Sequence, residues 1–576
     1  MMLNDCETFL PGIPFENIAL TFSGGGFRAA SFSLGVLSYL NHCYLKNEDD
    51  KLINHVKFIT STSGGSITNA LFATTAYSQP DYNFQDFYNR LRDSMHGEAL
   101  LAKVFEILKD DAQWTEYGVL TNNGENITIK KPRNLINAFA KAYDQLLFKG
   151  KTLDCIYNCE HKPHLEEVCF NSTEFNNGLS FYFQVNCKND EPQQLGNGYL
   201  RLSDPEVIRH LKLSDIVAAS SCFPGGFEPI IYPNDFVHAD LMDINKMFAA
   251  VKYKHNNPLD LLAITNQPFS LMDGGIADNM GIVNVMNEDQ SRLEDKNQHR
   301  FDLIMACDVT SYFNEPVAQP AETKSKGISI QSIINIFKYS LVFVLISAAL
   351  MIFNVLPVIG YLLIIPSLSL TIIYTICRFK LTRLESSEKG KVAKMMLKYL
   401  NYFLRLPSGV LLPMMRSRAD SGVKLISDLF LKQIRRGQYE NLFTKPRMVH
   451  RTISCLIYEF SAQHADRRVS ILKQKDKLWW DNVSAVLMPS AKLQQTANKA
   501  KAVGTTLWFD ESELIKEQRD KVIATGQFTA CYNLIKHICR LEVLDPKYKD
   551  DGALQGLKRR LFEDWEKFQL DPVCMV

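Results

Sequence analysis

Two short apolar runs near the start of the chain change abruptly into small residues and then into helical patterns. Residues 18–22 run into Ser-Gly-Gly-Gly, and the stretch 58–66 begins with apolar residues and ends in Ser-Gly-Gly-Ser. A buried strand, a tight turn and a helix account for each pattern. The hydrophobic pattern therefore predicts two strand–turn–helix units in the first 80 residues.

Other apolar runs and helical patterns extend this organisation to most of the chain. Strands are predicted at 165–170, 179–185, 228–232, 269–273, 301–308 and 483–489. Helices are predicted at 82–95, 134–147, 205–219, 514–523 and 526–540. Residues 78–165 are polar and poorly periodic, so they either cap a site or form a surface insertion.

A long uncharged run interrupts this pattern in the middle of the chain. The 39 positions 339–377 carry no charged residue, whereas one membrane helix needs about 20 residues. Asn354, Pro357 and Gly360 are turn formers within the run. The run therefore predicts a membrane hairpin of two helices, roughly 333–355 and 358–378. A buried core hairpin is the alternative, because Pro366 and several Ser and Thr residues interrupt the second half.

Charges on both sides of the run predict the orientation of this hairpin. Lysines precede it, and seven basic residues follow it at positions 378–398 against two acidic ones. Positive charge marks the cytoplasmic side of a membrane segment, so both ends are expected on that side. Residues 395–436 are basic and amphipathic, which suits either the headgroup level or ordinary helix packing.

Composition and charge exclude some classes of function. The chain has 576 residues, 46% hydrophobic and 22% charged, with 64 basic and 63 acidic residues. A net charge of +1 argues against nucleic acid as a partner. Thirteen scattered cysteines favour a reducing compartment over a disulfide framework. Residues 1–15 lack a long apolar core, so no signal peptide is expected.

One cluster of cysteines and histidines has a composition that suits a metal. It comprises Cys155, Cys159, His161, His164 and Cys169. Its spacing differs from the paired C-x₂-C pattern of zinc sites, and Cys169 falls inside a predicted strand. We therefore interpret the cluster as a loop that enters a strand, and we expect no metal and no cofactor.

Three stretches of the chain carry candidate catalytic chemistry. Ser63 is central in a G-x-S-x-G-like turn that ends in Gly65 but has Ser61 in place of the first glycine. Gly24, Gly25 and Gly26 follow the first strand, where backbone N–H groups near a helix start form an anion site. Asp273 ends a short strand and precedes two glycines.

In this order, these motifs resemble those of the patatin-like phospholipases. Gly24-Gly25-Gly26-Phe27-Arg28 matches the G-G-G-x-R loop, residues 61–65 match the serine motif, and Asp273-Gly274-Gly275 matches the D-G-G motif. Residues 218–225 are similar to a helix end and turn of that family. The resemblance covers roughly residues 15–310 and resumes after 480. It implies a three-layer α/β/α sandwich, into which the membrane hairpin is inserted.

The resemblance also implies a mechanism with a serine and an aspartate. Ser63 would attack an ester carbonyl, with Asp273 as its base and proton acceptor. Gly24, Gly25, Gly26 and Gly64 would form the oxyanion hole. Arg28 would order the loop or neutralise a phosphate. The alternative is a Ser-His-Asp triad, with the histidine drawn from His450, His464 and His537.

These expectations define the domains. Residues 1–310 would form the first part of the catalytic domain, 311–470 the inserted hairpin with basic amphipathic helices, 471–540 the closing part and 541–576 a helical tail. Asp308, at the end of another predicted strand, is expected to cap the next segment rather than to act in catalysis.

The expected function is a membrane-anchored serine hydrolase of acyl esters in glycerophospholipids or lysophospholipids. Its expected partners are the membrane phospholipid and the lipid bilayer, without nucleic acid; homo-oligomers are left open. We expect an inner, cytoplasmic membrane with the catalytic domain on the cytoplasmic side. The alternatives are a lipid acyltransferase, a neutral-lipid esterase, and a gated or inactive membrane scaffold.

Overall fold

The computed structural model of the chain describes most of its 576 residues. The described ranges are 13–79, 82–95, 99–159, 161, 163–187, 194–253, 267–294, 299–310, 327–385, 403, 406–462, 477–507 and 513–576. Internal contacts divide the chain into one unit of Met1–Phe313 with Leu431–Val576 and another of Asn314–Phe430. The first unit contains the sheet, and the second contains the long apolar helices.

The strands lie where short apolar runs were predicted, with some additions. They are β1 (Ile18–Phe22), β2 (Val56–Thr62), β3 (Tyr117–Asn122), β4 (Glu125–Lys130), β5 (Glu167–Glu174), β6 (Leu179–Asn186), β7 (Gln194–Gly196), β8 (Leu200–Leu202), β9 (Ile230–Tyr232), β10 (Val251–Tyr253), β11 (Phe269–Asp273), β12 (Leu303–Asp308) and β13 (Thr452–Leu456). β3 and β4 form a separate hairpin.

The helices of the first unit precede and follow the second unit along the chain. Before it come α1 (Gly26–His42), α2 (Gly64–Ala76), α3 (Phe84–Ser94), α4 (Ala99–Lys109), α5 (Leu135–Tyr143), α6 (Asp154–Tyr157), α7 (Pro205–His210), α8 (Leu213–Ser221), α9 (Ile244–Ala249) and α10 (Ile282–Glu294). The second unit has α11 (Ile330–Ile352), α12 (Pro357–Glu385) and α13 (Ser408–Lys424), and the first resumes with α14 (Leu431–Thr444), α15 (Lys477–Leu487), α16 (Ala491–Ala502), α17 (Glu513–Leu544), α18 (Lys547–Asp550) and α19 (Gly552–Leu570).

The main sheet is mixed, and helices flank it, which confirms the predicted patatin-like α/β fold. Its strand order is β10-β8-β7-β6-β5-β2-β1-β12-β13, with β11 pairing with β5 and β9. β5, β2, β1, β12 and β13 run parallel to one another. α8 packs against β5 and β11, while α17 packs against α1 and β13.

β5 brings two distant parts of the chain to the same place. Its residue Asn171 pairs with Thr62, the last residue of β2, and its next residue, Ser172, pairs with Asp273 of β11. The ends of β2 and β11 are therefore neighbours across β5. This register sets Asp273 next to the turn that follows β2.

Two glycines allow α1 and α17 to cross closely. A Cβ on Gly35 would lie 2.0 Å from the Ile523 carbonyl oxygen, and one on Gly526 would lie 2.3 Å from that of Phe32. Side chains at either position would force the helices apart, because the neighbouring atoms are backbone. The predicted helices 514–523 and 526–540 are one continuous helix, and Gly526 lies inside it.

Two assignments after position 450 differ from the prediction. Residues 483–489, predicted as a strand, belong mostly to α15, because Trp480 and Leu487 are buried at helical spacing. Residues 452–456, predicted within the inserted part, form β13 and pair with β12. The unit that contains the sheet therefore resumes at Leu431 rather than at 471.

The second unit contains the predicted pair of apolar helices. The windows Gln331–Ile352 and Pro357–Ile376 are long and apolar enough to cross a membrane, with mean hydropathies of 2.0 and 1.9. Ser340 Oγ and Thr371 Oγ1 are 2.8 Å apart across the hairpin. The turn between the helices includes Asn354, with φ of 52°.

Candidate active site

Ser63 lies in a strained turn between β2 and α2. Its φ is 51° and its ψ is −120°, a conformation that residues with a side chain rarely adopt. A Cβ on Gly64 would lie 2.0 Å from the Gly26 carbonyl oxygen, and one on Gly65 would lie 2.8 Å from Phe22 Cβ. Only glycines fit after Ser63, so the local sequence produces the sharp turn that a serine nucleophile requires.

Ser61, the departure from the G-x-S-x-G pattern, belongs to β2. It is not among the residues with positive φ, so serine carries no backbone cost at this position. Its hydroxyl is buried, 3.1 Å from Ser66 Oγ, and accepts a hydrogen bond from Asn69 Nδ2 at 2.9 Å. The substitution therefore replaces a glycine with a hydrogen-bonded strand residue and leaves the turn intact.

The glycine loop after β1 lies directly against the Ser63 turn. Gly25 and Gly26 have φ of 140° and 58°. The Gly24 N–H donates to the Asn279 carbonyl oxygen at 3.1 Å, so Gly24 shapes the loop without offering its amide, which differs from the prediction. In the described part of the chain, the amides of Gly25, Gly26 and Gly64 have no acceptor.

Arg28 holds a later segment of the chain against this loop. Its Nη1 donates to the carbonyl oxygens of Lys501 and Val503 at 3.2 and 2.7 Å. Burial lowers its pKa to about 10. The Phe27 N–H also donates to the Thr506 carbonyl oxygen at 2.8 Å. These bonds favour the loop-ordering alternative of the two predicted roles for Arg28.

Asp273 is buried where β11 ends. Its Oδ1 accepts the Gly275 N–H at 2.6 Å. Burial raises its pKa to about 6, and the Gly275 N–H, the hydrogen-bonding Ser63 side chain and the charge of Arg435 each lower it. The Ser63 hydroxyl is thus near a carboxylate that is largely ionised at neutral pH but has a higher proton affinity than an exposed aspartate.

Several residues that the sequence analysis did not select support this geometry. Ser220 Oγ accepts the Ser63 N–H at 2.9 Å and donates to the Asn171 carbonyl oxygen at 2.6 Å. A Cβ on Gly24 would lie 2.8 Å from Asn279 Oδ1 and 3.2 Å from Ser63 Cβ. Both residues lie close to motifs named in the sequence. Ser220 belongs to the stretch 218–225 that is similar to a helix end of the family, and Asn279 follows the Asp273 motif by a few residues.

The histidines of the alternative triad have other surroundings. Burial lowers the pKa of His537 to about 3, and its ring packs edge-on against Phe15 with centroids 5.7 Å apart. Burial also lowers the pKa of His450. Neither histidine is among the groups that shift the pKa of Asp273. His464 lies outside the described residues.

The other polar candidates have structural partners. Asp308 Oδ1 accepts the Thr310 N–H at 2.8 Å, so it caps the next segment as predicted. Cys159 forms a disulfide with Cys187, a pairing that was not predicted. His164 packs against Phe72 and Tyr82. Within the described ranges, no group of three His, Cys, Asp or Glu side chains is placed to hold a metal ion.

Comparisons with known proteins found one family model and several solved structures that resemble parts of this chain. Residues 20–286 match the family model described as patatin-like phospholipase. No curated protein matches the chain. Among solved structures, it is similar to human GIVD cytosolic phospholipase A2, with 13% identity, a TM-score of 0.30, and coverage of 51% of this chain and 45% of that one.

A second solved structure is VipD from Legionella pneumophila, with 12% identity, a TM-score of 0.23, and coverage of 60% of this chain and 58% of that one. The chain thus spans about half the length of the structures that it matches. The family match includes the glycine loop, the serine turn and Asp273. The chain thus contains a patatin-like phospholipase domain over residues 20–286.

Proposed function

We propose that this protein is a serine lipid acyl hydrolase in which Ser63 and Asp273 form a catalytic dyad. The observation that carries the proposal is the buried Asp273 carboxylate, with a pKa of about 6, beside the serine of a strained strand–helix turn. A free serine hydroxyl is a weak nucleophile and needs a base close to it. A carboxylate with a pKa near neutrality suits that task.

In the first half of the reaction, Ser63 Oγ attacks the ester carbonyl carbon while Asp273 takes the hydroxyl proton. The tetrahedral intermediate then expels the alcohol, which receives that proton from Asp273. The product is an acyl-enzyme on Ser63 and a free lipid alcohol. Water then attacks the acyl group, Asp273 accepts its proton, and the fatty acid leaves as Ser63 is reprotonated.

The negative charge of each intermediate would be stabilised by backbone amides at two helix starts. Gly26 begins α1 and Gly64 begins α2, and their amides, with that of Gly25, have no acceptor among the described residues. Helix starts carry a partial positive charge, which favours an anion there. We assign the oxyanion hole to Gly25, Gly26 and Gly64.

Membrane attachment through the hairpin would bring this site to its substrate. α11 and α12 are long and apolar enough to cross a bilayer, and their side chains are mostly exposed. The basic residues on both sides of the hairpin support a cytoplasmic orientation. We therefore propose acyl esters of glycerophospholipids or lysophospholipids in the cytoplasmic leaflet as the substrate.

Fatty-acid release from mixed phospholipid vesicles tests the proposal. Ser63→Ala and Asp273→Asn should each abolish release, whereas Ser78→Ala, which removes an exposed hydroxyl, should not. Survival of release in Asp273→Asn would refute the dyad. If no form releases fatty acid, labelling by a fluorophosphonate separates two alternatives: a gated enzyme is labelled at Ser63, and an inactive scaffold is not.

A further inference from the structure

α14 packs against the catalytic loops, although it lies outside the family match. Gln438 Nε2 donates to the Ala277 carbonyl oxygen at 2.8 Å, and the Tyr439 hydroxyl donates to Asp308 Oδ2 at 3.2 Å. Ala277 is in the loop that follows Asp273, and Asp308 ends β12. One face of α14 therefore contacts the end of the sheet at which the site lies, where β11 and β12 end.

Arg435 lies on this same face of α14. It precedes Gln438 by three residues and Tyr439 by four, and residues at these spacings are neighbours on a helix surface. Its positive charge contributes to lowering the pKa of Asp273 and of Arg28. The guanidinium is thus within electrostatic reach of the catalytic carboxylate and of the glycine-loop arginine.

Two nitrogen atoms of this guanidinium have no acceptor. Arg435 Nε and Nη1 are shielded from solvent and have no hydrogen-bond partner among the described residues. A buried cationic donor without an acceptor is costly, and such groups normally bind an anion. Arg28, the other arginine near the glycine loop, instead donates to the Lys501 and Val503 carbonyl oxygens.

We propose that Arg435 binds the phosphate group of the lipid substrate and so makes the site selective for phosphodiester lipids over neutral acyl esters. A guanidinium presents several N–H donors in one plane, which match the oxygen atoms of a phosphate. The inference rests on the proposed function in that it assumes an acyl ester at Ser63.

Kinetics with two substrates of equal acyl length test this assignment. At about pH 8, Arg435→Gln should lower kcat/KM for a lysophospholipid by about tenfold to a hundredfold, the range expected for a lost charged hydrogen bond. It should leave kcat/KM for the matching monoacylglycerol within about twofold. Arg436→Gln removes an exposed charge from the next position of α14 and should change neither value.

Arg435→Lys keeps the charge but not the planar donors, so it should restore only part of the lysophospholipid activity. Equal losses on both substrates would overturn the proposal, because they would indicate a catalytic or structural role. Unchanged lysophospholipid hydrolysis in Arg435→Gln would overturn it as well. Hydrolysis of monoacylglycerol alone by the unsubstituted protein would refute both the phosphate site and the proposed phospholipid substrate.

A binding measurement tests the phosphate site separately from the proposed hydrolase function, even if the protein hydrolyses no ester. The probe is a short-chain lysophospholipid below its micelle concentration, added to the Ser63→Ala protein. Arg435→Gln in that background should weaken its binding by about tenfold or more, while binding of the matching monoacylglycerol stays the same. Equal affinity with and without Arg435 would overturn the phosphate site, whatever the activity.

Discussion

The acid side of the pH profile should report the ionisation of Asp273. Burial raises the pKa of this carboxyl group to about 6, and the group must be ionised to take the proton of Ser63. For a neutral ester, kcat/KM should therefore be half-maximal near pH 6. Below that pH it should fall about tenfold for each unit.

Arg435→Gln is the perturbation that identifies the titrating group. The positive charge of Arg435 lowers the pKa of Asp273, so its removal should raise this pKa. The half-maximal point then moves to a higher pH, while the activity plateau above about pH 8 is kept. A damaged fold would lower the plateau without such a shift.

The assay is the release of p-nitrophenol from p-nitrophenyl butyrate, with Arg436→Gln as the control of equal charge. A neutral substrate is used because it does not depend on the proposed phosphate site. A midpoint near 6 that stays in place in Arg435→Gln would refute the assignment to Asp273. A triad through His537, whose pKa is lowered to about 3, would place the midpoint far below 6.

Three further predictions follow from buried contacts. Gly64→Ala places a methyl group 2.0 Å from the Gly26 carbonyl oxygen, so ester hydrolysis should fall about a hundredfold or more while the circular dichroism spectrum keeps its helical signal. Arg451→Met breaks a buried ion pair with Asp289 at 2.6 Å and should reduce the free energy of unfolding by about 3–5 kcal/mol in urea titrations; unchanged unfolding would contradict it. The pKa of Asp273 rises on folding from 3.8 to about 6, so the folded state binds more protons and this group lowers stability as pH rises through that interval. Asp273→Asn should therefore stabilise the protein at pH 7 by up to about 3 kcal/mol, seen as a higher Tm, and the gain should disappear as the pH falls below the unfolded-state pKa of 3.8.

The loops of the candidate site could be predicted because their sequence signals are local. A strand, a turn of small residues and a helix start follow one another within about ten positions at both Gly24 and Ser63. The uncharged run 339–377 is a local signal as well, and it predicted the apolar hairpin. The motifs and their order then resembled those of a known family, which implied the role of Asp273.

The features that the sequence did not predict depend on contacts between residues that are far apart in the chain. Ser220 reaches the Ser63 N–H across 157 positions. Residues 452–456 and 483–489 are both short apolar runs. The first forms a strand that pairs with β12, whereas the second belongs mostly to α15. Arg435 belongs to the basic stretch 395–436, in which the sequence alone does not distinguish one arginine from another. Its position near the candidate site follows from the contacts of α14 with Ala277 and Asp308.

These long-range contacts indicate that the site is built from chain on both sides of the inserted unit. The segment before it supplies the serine turn, the glycine loop and Asp273. The segment after it supplies β13, Arg435 and the Thr506 carbonyl oxygen that binds the Phe27 N–H. Arg28 binds the carbonyl oxygens of residues 501 and 503. We therefore expect the glycine loop and this later segment to adopt their ordered conformations together. The candidate site thus includes residues beyond 20–286, the part that the family comparison covers. In the proposed mechanism, the bond-breaking groups precede the hairpin along the chain, and the phosphate-binding Arg435 follows it.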